Sequence, residues 1–299
     1  MRTWENLLND YLIYLKIERG LSENSIKSYS YDIQYLVSFI NKQNIKLDLK
    51  ECNKQFMQEF IYKISKKINS RSQARLISSL KSFFNYLVFE GYSKTSPMEL
   101  IESPKIVTKL PEVLSIEEIK LLIKNSELNK VHGIRNSAIL ETLYGSGLRV
   151  SELINLKLSD IHFDDKLLLI QGKGNKQRLV PLGSICELKI HNYIKSIRIL
   201  KKIKGNSSDI VFLNRNGKRL TRATIFNIVK EAQRKSNIKK TVSPHTFRHS
   251  FATHLMENGA DLRSIQIMMG HENITTTEVY THLDTKHLSK TLNKYHPRK

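Results

Sequence analysis

The sequence predicts a mostly α-helical protein with one small β-hairpin, divided into an N-terminal helical bundle and a larger mixed α/β unit. Three observations carry that expectation. Apolar residues recur at three- and four-residue spacing through most of the chain, the period of an amphipathic helix. The period drops to two only in KLLLIQGKGNKQRLVPL, residues 166–182, where two short apolar runs flank Gly172-Lys173-Gly174-Asn175-Lys176. Between the two regions Pro97, Pro104 and Pro111 interrupt any regular pattern. With 299 residues, at roughly 150 per domain, the reading is a helical domain over residues 1–102, a linker over 103–114 and a second domain over 115–299.

In the first region, Trp4, Leu7, Leu8, Tyr11, Leu12 and Leu15 share one helical face and Gly20 supplies a stop. Ser22 can cap a second helix carrying Ile26, Tyr29, Ile33, Leu36 and Ile40. Phe56, Phe60, Ile61 and Ile64 mark a third. A fourth begins at Ser70, carries Ala74, Ile77, Leu80, Phe84 and Leu87, and closes at Gly91. None of these helices holds a motif that could do chemistry. The second region opens with helices around 116–125 and 133–144, breaks at Tyr144-Gly145-Ser146-Gly147, and starts a new helix near Arg149. After the hairpin come helices near 184–203, 221–236, 245–258, 261–269 and 274–281, with a short strand at Ile210 to Leu213.

Charge departs from the average soluble protein: 49 Lys and Arg against 28 Asp and Glu give a net charge of +21. A polyanion is the natural partner for such a chain. Residues 1–100 carry 15 basic and 10 acidic side chains, so the remainder holds +16 of the excess. Cys52 and Cys186 lie far apart, without metal-ligand or redox spacing, and read as idle thiols of a reducing cytosol. The N-terminal stretch contains Glu5, Asn6, Asn9 and Asp10, which excludes a signal-peptide core, and no run approaches the roughly 20 apolar residues of a membrane span. The sequence therefore predicts a cytoplasmic protein with no membrane partner.

The titratable residues that could act on a ligand fall at breaks between elements. Arg149 follows a Gly-Ser-Gly turn and sits at a helix N-terminus, which favours an anion. Lys173 lies between two glycines at the hairpin tip, with Lys176 and Arg178 close by, so the tip reads as a cationic finger suited to a phosphate backbone. In SPHTFRHSFATHL, His245 and Arg248 are three apart on a helix capped by Ser243 and could hold one phosphate from two sides. His271 follows a helix-ending glycine in MMGH, and Tyr280 lies nine residues on. Metal chemistry is not indicated, since the histidines do not form HExxH and the carboxylates do not pair with them. The GSG and GKG turns are too short to cradle a nucleotide, so no cofactor is expected.

Taken singly, each residue fits an ordinary surface or core position. Taken in order, Arg149, Lys173, His245, Arg248, His271 and Tyr280, within GLRVSEL, GKGNKQRLVPL, SPHTFRHSFATHL, MGH and TTEVYTHL, resemble the tyrosine recombinase (phage integrase) family. The likeness runs through the whole second domain, and the first has the helical character of that family's SAM-like core-binding, DNA-clamping domain. Within the family the similarity is strongest to the bacterial XerC/XerD recombinases, which share this length and an HPR near the C-terminus, here His296-Pro297-Arg298.

The resemblance implies a site-specific recombinase that cleaves and rejoins double-stranded DNA through a 3′-phosphotyrosyl intermediate, without metal or ATP, in chromosome or plasmid dimer resolution. It implies Tyr280 as nucleophile, Arg149 and Arg248 as clamps on the transition-state charge, and Lys173 as the general acid on the leaving 5′-oxygen. His245 is implied as a general acid/base and His271 as a hydrogen-bond donor to the phosphate. Glu152, one turn after Arg149, could orient it by a salt bridge. Lys176, Arg178, Arg219 and Arg222 are candidate DNA contacts, and phosphate contacts would make binding salt-sensitive. The tail, with Leu288 and Leu292 four apart and then Tyr295, could pack on its own domain; the resemblance implies docking into a neighbouring protomer of a homo- or hetero-tetramer on two sites. A second Xer-type recombinase and a septal DNA translocase are the further partners it implies. The same residues leave room for a mobile-element integrase or transposase, a type IB topoisomerase-like relaxase, or a non-enzymatic DNA-binding regulator.

Overall fold

In the computed structural model the chain divides into two units, Met1–Lys109 and Leu110–Lys299. The structure describes residues 3–42, 52–106, 112–128, 132–172, 176–270 and 282–298, and the side chains of all of these except 282–284.

Among the described residues the first unit holds four helices: α1 Trp4–Ile17, α2 Glu23–Lys42, α3 Lys54–Ser65 and α4 Ser70–Phe89. Each begins where a short polar side chain satisfies the open N-terminal amides. Thr3, Asn53 and Asn69 cap α1, α3 and α4, and the Ser22 hydroxyl accepts from the Ser25 amide at 3.3 Å. The predicted apolar stripes meet in one core in which Tyr11, Ile33, Leu36, Phe60, Leu80, Phe83 and Leu87 are fully buried. Asp32, a buried carboxylate of this unit, accepts hydrogen bonds from Ser79 at 2.7 Å and Arg75 at 2.8 Å.

The second unit is built around α6 Gly133–Gly145, in which 12 of 13 residues are buried, as expected of a helix covered on all sides. It packs against α5 Ile116–Glu127, α7 Val150–Asn155, α8 Ser184–Tyr193 and α10 Pro244–Glu257. Completing the unit are α9 Arg222–Lys235, α11 Leu262–Met269, α12 His282–Tyr295 and a three-stranded antiparallel sheet in the order β1 Ile161–His162, β2 Leu167–Gln171, β3 Gln177–Pro181. The β2–β3 register pairs Leu168 with Val180 and Ile170 with Arg178, and all four side chains point to the buried face.

Four details differ from the sequence reading. The hairpin gains a third, two-residue strand, β1. The helix expected over 184–203 ends at Tyr193 and continues only as a π-helical turn, Ile194–Arg198. Ile210 and Leu213 make two isolated bridges, to Lys157 and Arg219, instead of a strand. The C-terminal tail forms α12, with Leu288 and Leu292 buried in this unit's own core. Arg298, just beyond this helix, pairs with Glu141 at 2.7 Å. The helix expected over 274–281 lies outside the described residues. Among the described residues no helix is long and apolar enough to cross a membrane.

Candidate active site

Two residues at the start of one short helix, its N-cap and its third residue, found the site. After α6 the chain turns through Gly147 in a left-handed conformation, φ +58°, and a Cβ there would sit 2.5 Å from the Phe251 ring. Glycine is required on both counts. The turn delivers Arg149 as the residue preceding α7, with extended backbone, so the sequence expectation of a helix start at this position is met one residue later. Glu152 then folds back, accepting the Arg149 amide at 2.7 Å and its Nη1 at 2.9 Å. One carboxylate thereby fixes both the turn and the guanidinium.

Two further arginines converge on this carboxylate from other elements. Arg178 of β3 donates Nη1 to Oε1 and Nη2 to Oε2 of Glu152, both at 2.8 Å, in an end-on bidentate pair. Arg248 of α10 lies 3.8 Å from Oε2 and donates to the Gly147 carbonyl at 2.6 Å. Burial would raise the Glu152 carboxyl, but the Arg178 hydrogen bonds and charge, reinforced by Arg149, outweigh it and hold the group below its ordinary value. Arg248 is pushed down to about 9, chiefly by burial and then by repulsion from Arg149. It remains charged at neutral pH. Three guanidiniums against one carboxylate leave positive charge in excess.

The same arginines hold the end of α11. That helix stops at Gly270, φ +62°, leaving its last carbonyls without helical partners. Arg178 Nε donates to the Met268 carbonyl at 2.9 Å, Arg248 Nη2 to that of Met269, and Arg149 Nη2 to that of Gly270 at 2.8 Å. Three successive carbonyls, immediately ahead of His271, each accept from a different arginine.

The remaining sequence-predicted residues divide plainly. His245 is the second residue of α10, exposed beside the buried Arg248, on a helix whose N-terminus is closed by reciprocal Ser243 and Thr246 contacts. Lys176 is exposed at the base of the hairpin tip. Arg219 and Arg222 are exposed, Arg219 donating to the Asn155 side chain. Arg178 is corrected: it is 5% exposed and turned inward, because its parity with Val180 on β3 places it on the core face. A residue so enclosed is not a surface contact for DNA. Lys173, His271 and Tyr280 lie outside the described residues. Glu152, assigned a lesser part from sequence, is instead the point at which the three arginines meet. Among the described residues no cluster of three His, Cys, Asp or Glu could hold a metal ion. The arrangement can bind and neutralise a tetrahedral anion through fixed guanidiniums.

A profile of the phage integrase family matches residues 112–287, and one of the phage integrase N-terminal SAM-like domain matches residues 8–91. The chain is 40% identical over 295 residues to the tyrosine recombinase XerD of Staphylococcus aureus, covering 98% of this chain and 99% of that one. Among solved structures it resembles XerA recombinase, at 28% identity and a TM-score of 0.51 over 99% of this chain and 100% of the other. It also shares the fold of XerH recombinase in a pre-cleavage complex with difH substrate, at 21% identity and a TM-score of 0.68 over 98% and 82%. A basic two-unit chain with an arginine-carboxylate cluster at the mouth of the MGH word, matched end to end by these relatives, belongs to the phage integrase family, the site-specific tyrosine recombinases that exchange DNA strands.

Proposed function

We propose that this recombinase resolves chromosome or plasmid dimers, cutting each DNA strand by attack of the Tyr280 hydroxyl on one backbone phosphorus. The observation that carries the reading is the convergence of Arg149 and Arg248 on the α11 terminus that leads into His271 and Tyr280. Attack forms the phosphotyrosine bond and breaks the bond to the 5′-oxygen. The phenol proton passes to His245, and Lys173 protonates the departing 5′-oxygen, which would otherwise leave as a poor alkoxide leaving group. Arg149 and Arg248 stabilise charge on the non-bridging oxygens with His271 as a further donor. Return of a 5′-hydroxyl reverses the step without ATP.

In this reading residues 1–102 and 115–299 clamp duplex DNA, with Lys176, Arg219 and Arg222 as surface contacts. Two recombination sites are held by a homo- or hetero-tetramer, a second Xer-type recombinase and a septal DNA translocase being the partners. The likeness to XerD supports dimer resolution.

A duplex nicked beside the cleavage position traps the covalent adduct. Wild-type protein is expected to accumulate it, and Tyr280→Phe to bind the duplex normally without doing so. Arg149→Ala and Arg248→Ala should each slow trapping by about 10²- to 10³-fold, the range for one preorganised charge. Undiminished adduct in Tyr280→Phe refutes the nucleophile, and wild-type binding without any adduct favours a regulator. Processive relaxation of a supercoiled plasmid lacking a cognate site favours a topoisomerase-like relaxase.

A further inference from the structure

The geometry points to Arg178 as a positioning residue for strand cleavage, one that aligns the Arg149 guanidinium through Glu152 and the entry to the nucleophile segment through the end of α11. The inference rests on the cleavage reading above and adds to it a residue that touches no reacting atom.

Arg178 makes two unlike connections with one side chain. Its terminal nitrogens grip both oxygens of Glu152, and its Nε holds the Met268 carbonyl. The Gly270 turn is packed directly on it, since a Cβ at Gly270 would lie 2.9 Å from Arg178 Cδ and 3.1 Å from both Cζ and Nε. Movement of this guanidinium would therefore disturb the carboxylate on one side and the turn before His271 on the other.

Charge gives the second argument. Glu152 has a side chain 3% exposed and Arg178 one 5% exposed, whereas Arg149 is 35% exposed. Buried carboxylates require a paired and hydrogen-bonded cation to stay ionised. Arg178 neutralises Glu152 from the closed side, so Arg149 is oriented by the carboxylate while its outer face stays free for a phosphate. The groups facing Glu152 are Arg149 ahead of α7, Arg178 on β3 and Arg248 on α10. Only an arginine can serve all of these contacts: lysine keeps the charge but has neither the planar fork nor a separate Nε donor.

The test uses full-length protein and the nicked duplex, measuring adduct formation in a single turnover, the binding constant, and the pH dependence of the rate. Arg178→Lys is expected to bind DNA within about twofold of wild type and to cleave about 10²-fold more slowly, the loss that follows a misplacement near 1 Å. Arg178→Met removes the charge as well, and the acid limb of its rate profile should move to higher pH, because Glu152 then protonates more readily. A purely structural role would lower binding and cleavage in proportion and leave that limb in place, and this outcome overturns the proposal. So does an Arg178→Lys enzyme that cleaves within about threefold of wild type. Wild-type protein that forms no Tyr280-dependent adduct overturns the underlying cleavage reading, a result distinct from a wild type that cleaves while Arg178→Lys keeps pace with it.

Discussion

At the scale of single residues the site depends on two glycines as much as on its arginines. Gly270 adopts φ +62°, and a Cβ added there would run into the Arg178 side chain. Gly270→Ala is expected to cost about 1–2 kcal/mol from the left-handed backbone alone. It should slow cleavage by more than that loss of stability explains, because the Cβ displaces Arg178 from both of its partners. Denaturant midpoints and single-turnover rates on the same preparation check this, and a rate unchanged in a folded variant counts against it. The sequence identified this glycine as a helix stop, but not its closeness to Arg178. That neighbour is 92 positions away along the chain and reaches it because α11 packs on β3, a tertiary contact that local patterns do not encode. The inward turn of Arg178 itself was readable, since it has the parity of Val180 on the same strand; the two glycines at the tip instead directed attention to a solvent-facing finger.

At the scale of elements, α12 follows directly on the 271–281 segment and is tied down at its far end. Arg298 pairs with Glu141, which is fully buried in the middle of α6. Arg298→Ala should destabilise the protein by about 3–5 kcal/mol, most of it the penalty of stranding a buried carboxylate. Adding Glu141→Gln should recover part of that loss, and thermal unfolding of the single and double variants decides the matter. No recovery would place the effect in packing instead of charge. This helix was not assigned from sequence because its apolar stripe is thin, only Leu288, Leu292 and Tyr295 at helical spacing. The partners of the residues that follow it, Glu141 for Arg298 and Phe251 for His296, lie far upstream. By contrast, the strongly amphipathic helices α2, α4 and α9 were legible almost to the residue, as their stripes are wide and their starts are marked by Ser22, Asn69 and Thr221.

At the scale of the whole molecule, stability should follow two buried histidines of the second unit. Burial lowers His296 to about 4, and lowers His254, whose Nδ1 meets the Tyr144 hydroxyl at 2.8 Å. A folded-state value below the unfolded one means that the unfolded chain binds the proton more readily. The stabilisation is therefore complete above about pH 6.5 and is lost as the pH falls toward 4. For His296 the loss amounts to at most about 3 kcal/mol. Melting temperatures measured from pH 4 to 7 should rise across this window, and His296→Phe should flatten the rise; an equally steep curve in that variant would remove His296 as the cause.

The broad plan of the molecule was readable because composition, the change of hydrophobic period and the order of the motif words all act locally. What they could not convey is that Glu152 is a hub, since its three cationic neighbours arrive from separate stretches of chain. That hub has a bearing on selectivity. Arg149 and Arg248 already donate to the carbonyls of Gly147, Met269 and Gly270, which leaves an arriving group only the remaining N–H donors of each five-donor guanidinium. What it can add is negative charge, to which a backbone carbonyl has no answer. The cluster is therefore expected to discriminate by charge more than by outline, and a methylphosphonate linkage, neutral but nearly isosteric with a phosphodiester, should forfeit that advantage.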